Sequence, residues 1–281
     1  MLERPENAAG LPQPIHNAET RPVAFRGAGF LPKSGRWSGW IAILAVVALW
    51  QLAGSAGWVN PLFLPAPLAV ARAIYHLAVS GALWHHVSVS IMRIGTGWML
   101  GTVAGIIVGF SIGLSSLARS VGITFISALF PIPKIALLPL LILWLGIGEA
   151  SKVAVITLGV FFPMAINTYT GVRHADPLLV KAAVSFGAGR WSVIRKVMLP
   201  SALPMIFAGL KLGAGTSLLL LVAAEMIAAN SGIGFLILNA QNLMETTKLM
   251  VGIVLLSLLG LASHWLLVRL ERVALPWTAE A

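Results

Sequence analysis

Six apolar stretches, each close to the roughly 20 residues a helix needs to cross a bilayer, leave this chain few folds to choose from. They run at about 39–59, 89–113, 121–145, 153–171, 206–228 and 249–268. A backbone immersed in hydrocarbon must satisfy its own hydrogen bonds, so each stretch is expected to be helical. Only 10% of the residues are charged and 58% are hydrophobic, where a soluble domain carries about a quarter charged. The predicted fold class is therefore an all-α integral membrane protein with six transmembrane helices.

The formal net charge is +10, which raises nucleic acid as a partner. The placement of the charge argues against it. Of the 19 Lys and Arg, five precede Trp37, six lie from Arg173 to Lys211, and Arg269 and Arg272 close the chain. Basic residues in alternate loops mark the cytoplasmic side, so both termini are expected to be cytoplasmic. Residues 1–37 are polar, rich in Pro and Gly, and lack an early apolar core. They are expected to be a mostly disordered cytoplasmic tail, followed by a membrane domain over 38–281. The 68–77 stretch is expected to be a short interfacial helix, its apolar positions interleaved with Arg72 and His76.

Two spans carry internal features. In the second, Gly97, Gly101, Gly105, Gly109 and Gly113 recur every fourth residue. Such a stripe lets another backbone come close, for internal packing or for a seam between two copies. In the third, Pro131 and Pro133 remove backbone donors, and Lys134 follows them. A break there survives only where protein or a wet cavity covers the loosened backbone. Two readings stay open, a pore-facing hinge or a kink for packing.

One insert is too polar for lipid: RHADPLLVKAAVSFGAGRWSVIRKVMLPSALP, from Arg173 to Pro204. Asp176 followed by Pro177 is a helix start. Leu178, Leu179, Ala182, Ala183 and Phe186 then make an apolar face. Gly187 is placed to stop the helix in a left-handed turn. A second amphipathic segment, Trp191–Met198, is expected to end before Pro200. Arg190, Arg195 and Lys196 point to acidic or anionic surroundings, either lipid headgroups or a cytoplasmic protein.

The order Ala182-Ala183, three residues, Gly187, nine residues, then Val197-Met198-Leu199-Pro200 resembles the EAA loop of permease subunits in ATP-binding-cassette (ABC) importers. Lys181 stands where that family has glutamate, which reverses the local charge. PIPKIALLPLLILWLGIGEASK, FFPMAINTYTGV and AAEMIAANSGIGFLI look like the branch that imports nitrate, aliphatic sulfonates and taurine, which also includes carriers of thiamine-precursor pyrimidines. The resemblance implies a type I importer permease fold in a bacterial inner membrane, with its core at about 85–270. It implies a coupling loop at 172–205 that docks on an ATPase dimer through Asp176, Pro177, Lys181, Ala182, Ala183, Gly187, Arg190, Leu199 and Pro200. It further implies a second permease copy, expected to be identical, and an extracytoplasmic substrate-binding protein.

No phosphate-binding G-x-x-x-x-G-K-[ST] loop occurs, so ATP and Mg would be used by the partner and no cofactor is expected here. The chain has no cysteine, and its histidines show no metalloprotease spacing, so no metal site is expected. No G-x-S-x-G nucleophile motif occurs. Catalysis by this chain is not expected. Glu225 is expected near the outer end of the fifth span, lining a gate or capping the packing, with Lys134 or Arg93 as its partner. Lys134 is the better candidate for a cation beside an anionic cargo. Two rivals to an importer permease remain: an ion-coupled secondary transporter, for which no inverted repeat is visible, and a membrane receptor that binds a cytoplasmic protein without transport.

Overall fold

The computed structural model describes residues 38–278; the expected tail over 1–37 lies outside the described residues. Every regular element among them is helical: α1 (Ser38–Ser55), α2 (Pro67–Val79), α3 (Ala82–Leu114), α4 (Ser116–Leu129), α5 (Leu138–Leu145), α6 (Glu149–Arg173), α7 (Pro177–Ser185), α8 (Arg190–Val193), α9 (Leu199–Ala228), α10 (Ile233–Asn242) and α11 (Thr246–Ala274). The packing described below is that of residues 49–278.

Four apolar helices are long enough to cross a bilayer: 82–114, 149–173, 190–228 and 246–274. The expected third span is divided. α4 and the segment 134–145 meet at 86°, because Pro131 and Pro133 cannot supply the N–H groups that would carry one helix through. Counted as one span, the bent pair brings the total to five among the described residues. The first expected stretch, α1, is 18 residues long.

α3, α6 and α9 form the centre. A Cβ built on Gly97 would lie 2.7 Å from Ile156, on Gly101 2.8 Å from Val160, on Gly105 2.6 Å from Met164, on Gly109 2.6 Å from Thr168 and on Gly113 2.5 Å from Val172. The offset between glycine and partner is constant along both helices. α3 and α6 therefore run parallel and in register, and the glycine stripe is the surface on which α6 lies. α4 and α5 are the return path between them. Residues of α6 also belong to two apolar clusters: Val155, Ile156 and Val160 with Leu138 and Leu221 in one, and Met164 and Val172 with Ala202 and Ile206 in the other. Leu143, Trp144 and Trp265 face outward and are more than half exposed.

The Trp191–Met198 segment does not end before Pro200. From Arg190 the helix continues to Ala228, passing through a π-turn at Ile194–Met198. Pro200 sits at the first turn of α9, immediately after that wide turn, where the usual hydrogen-bond ladder is already displaced and the missing donor is tolerated. α10 is a further finding: ten residues between α9 and α11 that sequence periodicity did not single out.

Candidate functional site

Three constellations carry chemistry, at different levels of the bundle. The first is the Asp176–Pro200 loop between α6 and α9. The Asp176 carboxylate accepts a hydrogen bond from the Leu178 N–H at 2.8 Å, and Pro177 occupies the first turn of α7. α7 stops at Gly187, whose φ of +79° is left-handed, a conformation in which a side chain is strained. The loop presents apolar surface outward: Leu178 is 72% exposed, Phe186 91% and Trp191 72%. Lys181, Ala182, Arg190, Arg195 and Lys196 are exposed around it, while Ala183, Leu199 and Pro200 are half-buried. A nine-residue helix is marginal alone, so this one is positioned by the central helices at the two ends of the loop. Below it, a cavity of about 760 Å³ separates α7 and α8 from the turn between α3 and α4.

The second is the broken segment. Pro131, Pro133 and Lys134 border a cavity of about 640 Å³ whose other walls come from α6 and α9. Lys134 Nζ donates to the carbonyl of Leu129 at 3.2 Å and to that of Phe130. It also lies 4.4 Å from the centre of the Phe162 ring, about half-way along α6. Carbonyls at a helix C-terminus and an aromatic face both attract a cation. They hold the ammonium at the cavity wall without an anion.

The third is an ionic knot at the opposite end of α6 from the loop, roughly 37 Å away at 1.5 Å per residue. Arg93, 2% exposed, donates through Nε and Nη2 to both oxygens of Glu149, each at 2.6 Å. Its Nη1 donates to Glu225 Oε1 and to the Ser231 carbonyl, both at 2.7 Å. Glu225 is completely buried. It also accepts from Ser90 Oγ and from the Gly234 N–H, each at 2.8 Å. A Cβ on Gly232 would lie 2.2 Å from that carboxylate, so only glycine closes the α9–α10 turn around it. The knot ties α3, α6, α9 and α10.

Glu225 and Lys134 are thus not partners. Lys134 borders the cavity; Glu225 is enclosed in the knot with Arg93. The loop residues from Asp176 to Pro200 lie together at the far end. Sequence reasoning named Arg93 as a possible partner for Glu225 but missed Glu149 and Ser90. The available signal was one ionisable residue near the same end of each of three spans.

A family model described as "Binding-protein-dependent transport system inner membrane component" matches residues 101–274. The chain is 40% identical over 238 residues to SsuC of Escherichia coli, named for aliphatic sulfonates transport, covering 85% of this chain and 90% of that protein. It is 34% identical to the Bacillus subtilis protein of the same name, over 98% of each. It is 35% identical to the taurine transport system permease protein TauC of Escherichia coli, over 86% and 89%. Among solved structures, a chain of the inward-facing methionine ABC transporter MetNI superposes with a TM-score of 0.59 at 20% identity, covering 72% of this chain and 98% of that one. At that identity the likeness speaks for the fold alone.

Proposed function

The chain belongs to the inner-membrane components of binding-protein-dependent transport systems, the permease subunits of ABC importers, and from that premise we propose that it carries a small organic anion of the sulfonate class inward through the cavity at the α4–α5 break. Members of this family do not hydrolyse ATP; a separate ATPase does. The sulfonate class rests on relatives named for sulfonates and taurine.

The observation that carries the coupling is the loop from Asp176 to Pro200. An exposed apolar helix with basic flanks, attached at both ends to the central helices, is shaped to be gripped by a cytoplasmic ATPase. Asp176, Pro177 and Gly187 set its shape. Lys181, Ala182, Ala183 and Arg190 meet the partner, and Leu199 and Pro200 pass its movement into α9. With this loop in the cytoplasm, the N- and C-termini are cytoplasmic too, α1 completes six spans, and the knot faces outward beside the substrate-binding protein. Two identical copies of the chain enclose the path, with lipid around them. Motion of the loop tips the helices between inward- and outward-open states.

Gly187→Val tests the coupling. Nothing lies within 4 Å of a Cβ at this position, so the substitution acts through backbone strain of roughly 1–2 kcal/mol. The expected result is loss of ATPase copurification and of uptake, with the membrane domain still folded. Normal values for both would remove the coupling role. Uptake by this chain alone in liposomes, without an ATPase, would favour ion-coupled transport instead.

A further inference from the structure

Three cations of the central helices have carboxylate partners: Arg93 and Lys152 pair with Glu149, and Lys211 with Glu271. Lys134 has none among the described residues, where it holds carbonyl oxygens and ring faces. Among the described residues it is the sole charged one bordering the 640 Å³ cavity, whose remaining walls are apolar apart from Asn167 and Thr216. The amide nitrogen of Asn167 is engaged by the Pro163 carbonyl at 2.8 Å. The Thr216 hydroxyl is engaged by the Leu212 carbonyl at 2.7 Å.

We infer that Lys134 is the cargo-selecting residue of the permease: its ammonium takes the charged head of an amphiphilic anion while the proline, leucine and isoleucine walls take the apolar tail. This rests on the proposed import of a sulfonate-class anion and assigns the contact that recognises it. An ion pair in the membrane normally has its counter-charge built in, as at Arg93. At Lys134 the described residues supply no counter-charge, and a cargo can supply it. The carbonyls of Leu129 and Phe130 keep the ammonium from needing a fixed partner between transport cycles. They also make release reversible, since the cation exchanges one set of oxygens for another. An apolar wall disfavours a small, strongly hydrated anion, which would be stripped of water on most of its surface for a single cation.

The test uses the complete complex in proteoliposomes, with its binding protein and ATPase, and a radiolabelled alkanesulfonate. Maximal uptake is measured at saturating loaded binding protein for wild type, Lys134→Gln and Lys134→Arg. Glutamine can still donate to the two carbonyls but carries no charge; arginine keeps both. The expected result is a tenfold or greater loss with Lys134→Gln and less than a threefold loss with Lys134→Arg. Uptake by Lys134→Gln near the wild-type level overturns the inference. So does an equal loss in both assembled variants, or failure of both to assemble, because Lys134 is then a structural cap of α4. If wild type shows no ATP-driven alkanesulfonate uptake, the sulfonate reading itself fails, and the assignment with it.

Discussion

Arg93→Met should leave a complex that still assembles but is markedly less stable, with a loss of about 3–5 kcal/mol in folding free energy. The reasoning begins with burial. Arg93 and Glu225 are 2% and 0% exposed, at the place where four helices meet. Removing the guanidinium leaves the Glu225 carboxylate with two donors, Ser90 Oγ and the Gly234 N–H. It also leaves the Ser231 carbonyl without its side-chain donor. An uncompensated buried charge costs far more than a buried pair contributes, and methionine fills much of the volume without supplying the charge. A drop in Tm on the order of 10 °C follows for a chain of this size, read by thermal unfolding of the detergent-solubilised complex. Two companions separate charge from packing. Adding Glu225→Gln to Arg93→Met removes the stranded charge and should recover part of the loss. Glu149→Gln alone should cost about 1 kcal/mol or less, because Glu149 is half exposed and water can replace it. An Arg93→Met complex that melts within two or three degrees of wild type would show that the knot does not hold that end of the bundle together.

The same cluster shows where sequence reading stops. Arg93 and Glu149 are 56 positions apart and Arg93 and Glu225 132; nothing local marks them as partners. Their meeting is decided by α3 and α6 running parallel while α9 runs back antiparallel along α6, which is a matter of packing. Features that act through their immediate neighbours were legible. Asp176-Pro177 and Gly187 bracket α7 because capping and left-handed turns are local chemistry. Pro131 and Pro133 mark the break because the missing donors belong to those residues. Pro200 was misleading for a related reason. A proline reads as a stop, but it is equally at home in a first turn, and the π-turn before it was not visible in residue types. α10 escaped because ten residues give a weak periodic signal and its start is set by Gly232 folding around a carboxylate seven residues earlier in the chain.

The glycine stripe allows the sharpest comparison, since one change on one helix should have opposite signs at two positions. Gly101→Ala should destabilise the bundle by about 1–3 kcal/mol, and Gly101→Leu should prevent its assembly. A Cβ at residue 101 would stand 2.6 Å from the Thr157 carbonyl oxygen and 3.2 Å from the Phe161 nitrogen. Both are backbone atoms of α6, which cannot turn aside as a flexible side chain can. The two helices must separate, and because they lie in register the separation spreads to the contacts at Gly97 and Gly105. α6 leads directly into the Asp176–Pro200 loop, so its displacement should reduce ATPase binding as well as stability. Gly95→Ala is the control. It lies on α3 with nothing within 4 Å of a built Cβ, and relief of glycine's conformational entropy should stabilise the helix by roughly 0.5–1 kcal/mol. Thermal unfolding of the two variants beside wild type decides the matter. If both shift in the same direction, or if Gly101→Leu still assembles with its ATPase, then the close approach of α3 to α6 is not what sets the geometry of the bundle.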